Sequence, residues 1–195
     1  MSSSDLIRWG GLAAILSGVV FIVLGLLGLV LPEPSPGSFL DTVFGPLFSV
    51  GFLVALLLLL VGLAGFHALQ KGNYGRIGRV GFYTVLVGVS AQLLAEVGLM
   101  FGSTALLPFD FVVLFLVVTV GLVLYGAATL QARVLPRWCG VGFIVGLPVW
   151  VAVSVVSVEY GGILGGMLFG LLWLALGYVL WSRRDAATEQ PARVR

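Results

Sequence analysis

The chain has 195 residues, of which 60% are hydrophobic and only 9% charged. Soluble domains carry about 25% charged residues, so there is too little polar surface to coat a water-soluble globule of this size. The net charge of +2 comes from basic residues spread over separate stretches, which argues against a nucleic-acid partner, and the lone Cys139 cannot close an internal disulfide.

Six apolar runs follow in chain order: Trp9 to Leu31, Val43 to Leu69, Ile77 to Phe101, Phe109 to Leu130, Trp138 to Val158 and Ile163 to Trp181. Each is near the roughly 20 residues needed to cross about 30 Å of hydrocarbon. In lipid the backbone must pair internally, so such runs are helices or barrel strands. Barrel strands alternate in hydropathy, whereas Leu53 to Leu63 is continuously apolar, so the runs predict helices.

The first run outlasts a signal-peptide core and ends in Leu31-Pro32-Glu33-Pro34, which predicts a retained helix. Gly45-Pro46 marks the expected start of the second helix. Pro148 lies inside the fifth run and predicts a kink that frees the carbonyl of Ile144. Cys139 reads as a small apolar residue at a helix start. The reading is one all-α membrane domain over 1–182, a six-helix transmembrane bundle, with a polar, disordered cytoplasmic tail over 183–195.

Charge gives the direction. Arg8 precedes the first run, Lys71, Arg76 and Arg79 separate the second from the third, Arg133 and Arg137 separate the fourth from the fifth, and Arg183, Arg184, Arg193 and Arg195 follow the sixth. With six spans all ten fall on one side, while Glu33, Asp41, Asp110 and Glu159 fall on the other. The positive-inside rule then places both termini in the cytoplasm. Anionic lipid headgroups or a cytoplasmic partner are secondary readers of the same charges.

The odd-numbered runs begin alike, at Arg8-Trp9-Gly10-Gly11, Arg79-Val80-Gly81-Phe82 and Arg137-Trp138-Cys139-Gly140. The second and fourth end alike, at Gly65-Phe66-His67-Ala68-Leu69-Gln70 and Gly126-Ala127-Ala128-Thr129-Leu130-Gln131. This suggests three tandem helical hairpins in one orientation, although every cytoplasmic helix start needs an arginine and an interfacial aromatic anyway.

Glycine is abundant, at 28 residues. Small residues let membrane helices approach closely. On the third run Gly81, Thr84, Gly88, Ala91, Ala95, Gly98 and Gly102 form a seam at steps of three and four. The first run carries a similar line, Gly11, Ala14, Gly18, Phe21, Gly25 and Gly28, and the sixth Gly162, Gly166 and Gly170. These seams predict tight packing within the chain, against a membrane-protein partner, or in a homo-oligomer.

Glu96 is the acidic residue well inside a run, and an ionisable group there is a functional candidate. Seventeen residues beyond Arg79, at about 1.5 Å each, put it about 25 Å along, near the outer boundary. Gln92 lies one turn deeper on the same face, and Asp110 opens the next run at a similar height. Two readings are open. In one, Glu96, Gln92 and Asp110 form an outward-facing polar site for a cation or amine. In the other, Glu96 is protonated or reaches up to the interface and holds no ligand.

The absences matter too. His67 is the only histidine, which excludes a bis-histidine haem and a His-rich zinc site; it reads as solvated at the interface. Lys71 is the only lysine and lies between runs. Gly88-Val89-Ser90-Ala91 is not a nucleophile elbow, and there is no phosphate-binding loop. These readings imply no enzyme, no metal and no cofactor.

Gly65 to Gln70, Gly75-Arg76-Ile77-Gly78-Arg79-Val80-Gly81-Phe82 and Val134-Leu135-Pro136-Arg137-Trp138-Cys139-Gly140 together resemble small multi-pass membrane proteins of high-GC bacteria, such as actinobacteria and Chloroflexi-type organisms. The resemblance implies a bacterial cytoplasmic (inner) membrane and no activity. The leading expectation is a non-catalytic membrane protein acting through helix association, as an accessory or scaffold subunit or a homo-oligomer. The alternatives are a small transporter or channel using Glu96, and a binder of a lipid or hydrophobic ligand.

Overall fold

The computed structural model describes residues 3–31, 39–156 and 160–183. Every regular element among them is helical. In chain order they are α1 (Ser3–Val30), α2 (Phe39–Gln70), α3 (Arg76–Met100), a 3-10 turn (Thr104–Leu106), α4 (Leu107–Val112), a π-helical segment (Val113–Val118), α5 (Thr119–Ala132), α6 (Arg137–Val156) and α7 (Gly161–Ser182). Five of them, α1, α2, α3, α6 and α7, are long and apolar enough to cross a membrane. The fourth apolar run is α4, the π segment and α5 in succession, with helical dihedrals across both junctions.

Several boundaries differ from the sequence reading. α1 starts six residues before Trp9 because the polar Ser3–Arg8 stretch continues the same helix, with Asp5 in its first turn. α2 starts at Phe39 rather than at Gly45, with Pro46 inside it. A proline removes one backbone donor, which interrupts a helix without ending it. α6 likewise stays helical through Pro148. The stretches 32–38, 157–159 and 184–195, and with them Glu33, Glu159 and the predicted tail beyond Arg183, lie outside the described residues, as does the side chain of Asp41.

The π segment has a readable cause. Val113 and Val118 are both buried although five residues apart, a spacing that an α-helix would send to different faces and that i→i+5 bonding brings together. The hydroxyl of Thr119 donates to the carbonyl of Leu114, also five back, at 3.4 Å.

Each helix packs on its neighbours in chain order, and α7 returns onto α1, which closes a ring. The contacts show alternating direction. Gly10 near the start of α1 meets Gly65 near the end of α2, and Gly11 meets Trp181 at the end of α7. Gly81 near the start of α3 meets Tyr125 in α5, and Gly126 meets Gly140 at the start of α6. At the other end, Gly28 meets Ile163, and Gly165 meets Trp150. The described basic residues, Arg8, Lys71, Arg76, Arg79, Arg133, Arg137 and Arg183, therefore share one end of the ring, and all are exposed.

Inside the ring runs a column of aromatic rings. Tyr125 meets Phe143 at 5.3 Å between centroids, Phe143 meets Phe66 at 5.3 Å and Trp173 at 5.9 Å, and Phe169 continues from Trp173 to Phe21 at 5.5 Å. Most of these pairs are edge-to-face, the favoured arrangement for ring quadrupoles. Ser17 is buried in α1, and its hydroxyl donates to the carbonyl of Ala55 in α2 at 2.9 Å. The outer faces are apolar, with Val87 64% and Leu94 74% exposed on α3 alone.

The glycine seams divide their work. Gly81 and Gly88 lie against α5 and the π segment, and Ala95 is buried. Gly102 is not part of the seam. It lies past the end of α3 in a turn at φ 81°, where only glycine is unstrained. On α7 Gly170 packs on Gly18, Gly166 faces the Trp150 ring, and a Cβ on Gly162 would meet none of the described residues within 4 Å. That run of glycines is thus three different environments rather than one contact line.

Candidate functional site

α3 buries Gly78, Gly81, Phe82, Val85, Gly88, Val89, Gln92 and Ala95, a face at helical spacing turned into the ring. Glu96 follows Ala95 at the edge of that face, one turn beyond Gln92, and is half-buried. It lines a wide-mouthed cavity of about 320 Å³ at the end of the ring opposite the arginines. The other described walls are Phe21, Leu24 and Gly25 from α1, Phe48, Ser49 and Phe52 from α2, Trp150 from α6, and Gly162, Ile163 and Gly166 from α7. Five helices build it, and four of the lining side chains are aromatic.

Trp150 is the fixed wall. Its Nε1–H donates to the carbonyl of Gly162 at 3.1 Å, which ties α6 to the first turn of α7. Its ring stands nearly perpendicular to Phe21 at 5.9 Å and lies 5.3 Å from Phe169. Gly165 must be glycine for the ring to sit there, because a Cβ would lie 2.2 Å from the Trp150 ring. Two residues past Pro148, the carbonyl of Trp150 accepts from the Ser154 hydroxyl at 2.9 Å.

Gln92 does not share the cavity with Glu96. It is 2% exposed and lines a separate, narrow void of about 20 Å³, which shares Phe21, Phe52 and Trp150 with the cavity and is also walled by Leu114 and Val118 of the π segment. Its Oε1 has no hydrogen-bond partner. The void is about the size of one water molecule. The i, i+4 spacing put the two residues on one face, but Gln92 lies among Phe21, Phe52 and Trp150 in the smaller void while Glu96 lines the wider one. Asp110 lies on α4, and its side chain is outside the described residues.

A second polar cluster, which sequence reasoning missed, lies at the basic end. His67 was expected to be solvated. It is half-buried instead, stacked on Phe82 with ring centroids 3.9 Å apart, and its Nδ1 contacts the Tyr74 hydroxyl. Gln70 is fully buried, and its Nε2 donates to the Tyr125 hydroxyl at 3.2 Å, leaving Oε1 without a partner. Thr129 donates to the Tyr125 carbonyl at 2.9 Å. Burial pushes the Tyr74 hydroxyl up to about 12, Tyr83 adds to the rise, and Arg79 opposes it. The only sequence signal was Gln70 itself, an amide in the last turn of an apolar helix.

Among the described residues no three His, Cys, Asp or Glu side chains come together as a metal site. What the cavity offers chemically is one carboxylate, one hydroxyl from Ser49 and several ring faces. Such a set can accept hydrogen bonds, attract positive charge and enclose an apolar body. No family model, curated protein or solved structure matches the chain.

Proposed function

We propose that this is a multi-pass membrane protein that binds a small hydrophobic molecule in the Glu96 cavity and performs no catalysis. All six apolar helical runs cross the bilayer, the arginine-bearing end faces the cytoplasm, and the cavity opens toward the outer face. The observation that carries the binding reading is the cavity itself. Its volume, about 320 Å³, falls in the range of small-molecule sites, about 300–1,000 Å³. Its walls come from five helices rather than from one loose loop. The apolar outer faces support the membrane reading, since a soluble monomer rarely exposes so much contiguous apolar surface.

The association reading draws on the glycine seams, but Gly81, Gly88, Gly166 and Gly170 face neighbours within the chain. They support a tight bundle and leave little of the seam for another subunit. Transport would start from the same cavity and is separated from simple binding by solute flux in proteoliposomes.

The test is gentle purification into nanodiscs followed by native mass spectrometry, comparing the wild type with Gly166→Leu. Gly166 lines the cavity, and a Cβ there would sit 3.5 Å from the Trp150 ring, ordinary contact, so a side chain at this position is the way to take up its space. The expected result is a retained small molecule on the wild type and none on the variant. Equal retention by both would place the ligand elsewhere and overturn the reading.

A further inference from the structure

We infer that the ligand of this cavity carries a neutral hydroxyl on an apolar body and donates it to the amide oxygen of Gln92; the inference rests on the binding reading above. Gln92 is 2% exposed, and its Oε1 is without a hydrogen-bond partner. A buried amide oxygen in that state costs free energy, and native proteins carry few of them. Inside an apolar bundle it is a standing acceptor for a donor that arrives from outside.

The void beside Gln92 adjoins the cavity, because Phe21, Phe52 and Trp150 wall both. Trp150 is tied down through its N–H to the carbonyl of Gly162. Phe21 and Phe52 meet edge to face at 5.8 Å, and phenyl rings have no hydrogen bond to hold them. They are the part of the partition that yields to a ligand. The void, about 20 Å³, takes one group of the size of a water or a hydroxyl. Its other described walls are hydrocarbon, Leu56, Leu59, Val89 and Leu147 among them, so Gln92 is the one side-chain acceptor a donor would find there. A charged head would lose its water among these walls at a cost that one amide does not offset. An ether or a hydrocarbon brings no proton to give. The aromatic walls of the larger space enclose the apolar body.

The experiment uses a near-isosteric pair, 4-tert-butylphenol and 4-tert-butyltoluene, in which a methyl group replaces the hydroxyl. Each is titrated into nanodiscs holding the full-length protein and into empty nanodiscs, so that affinity is read relative to plain lipid. The phenol is expected to bind the wild type about tenfold more tightly than the toluene. Gln92→Met keeps the length of the side chain and removes the amide. It should abolish that preference and leave the affinity for 4-tert-butyltoluene within about twofold, which also shows that the variant is folded. Equal affinity of the two probes for the wild type means that water or nothing meets the amide. That result, or a preference that survives Gln92→Met, overturns the Gln92 assignment and leaves the binding reading intact. Failure of both probes to bind the wild type, or binding of both that Gly166→Leu does not weaken, overturns both.

Discussion

Gly18 and Gly170 meet backbone to backbone across the α1–α7 contact. A Cβ on Gly18 would lie 2.5 Å from the Gly170 carbonyl oxygen, and one on Gly170 would lie 2.8 Å from the Gly18 carbonyl oxygen. Neither neighbour is a side-chain tip that can rotate away. In lipid, whose tails are as apolar as side chains, close approach of this kind rather than hydrophobic burial is what draws helices together.

Gly18→Ala should therefore destabilise the protein by at least about 2 kcal/mol through overpacking, although alanine is the better helix former by about 1 kcal/mol. Gly45→Ala is the contrast. It lies within α2 with nothing within 4 Å of the added Cβ, and should be neutral or slightly stabilising. Unfolding in mixed micelles measures both. Equal effects at the two positions would remove steric closeness as the explanation.

Tyr125→Phe deletes the acceptor of the Gln70 amide and leaves a fully buried amide with neither end paired. A loss of about 1–3 kcal/mol is expected. Adding Gln70→Met to that variant removes the stranded group and should recover most of the loss. The double-mutant cycle reads the coupling directly. Strict additivity would mean that the 3.2 Å contact contributes nothing.

Tyr74 gives a pH signature. Its hydroxyl is raised from 10 to about 12, first by burial and then by Tyr83. The neutral form is the one that the fold favours. Its contribution is whole below pH 10, where folded and unfolded chains are both protonated. It is lost between pH 10 and about 12, as the unfolded tyrosine ionises and the folded one does not. Wild type should lose stability more steeply than Tyr74→Phe across that window, with Tyr125 common to both. Parallel alkaline unfolding curves would contradict the assignment.

Orientation can be read with thiol reagents. Cys139 is fully buried, so the background should be silent to an impermeant maleimide. Asn73→Cys, between α2 and α3, should label only from the cytoplasmic side of sealed vesicles. Gly162→Cys, at the other end, should label only from outside. Labelling of both from one side would refute the alternating arrangement of spans.

The helices were legible because each apolar run is long and each basic end carries arginine or lysine. Glu96 was legible because a carboxylate stands out in such a run. Its partners were not. Phe21, Phe52 and Trp150 come from three other helices, and no period along one helix reveals which ring will face which. Trp150 read as one more apolar residue of the fifth run, until its N–H was seen to donate to Gly162. Gln92 was placed with Glu96 by helical spacing, yet depth inside the ring separates them. His67 read as solvated because Lys71 is near in sequence, while Phe82 and Tyr74 enclose it in space. Nor does the sequence tell which glycine meets which: Gly126 packs on Gly140 and Gly177 on Gly11, whereas Gly65 packs on Gly10.

The π segment over Val113–Val118 has a consequence for descent. A π-turn is what a helix shows after absorbing one inserted residue without unwinding. Everywhere else in these six runs, removing one residue would turn all that follows by about 100° and swing a buried face outward. Between Val113 and Val118 the same deletion would relax the wide turn to an ordinary one and keep Leu122, Tyr125 and Thr129 pointing inward. Kindred chains that differ in length within a span should carry the gap at this point.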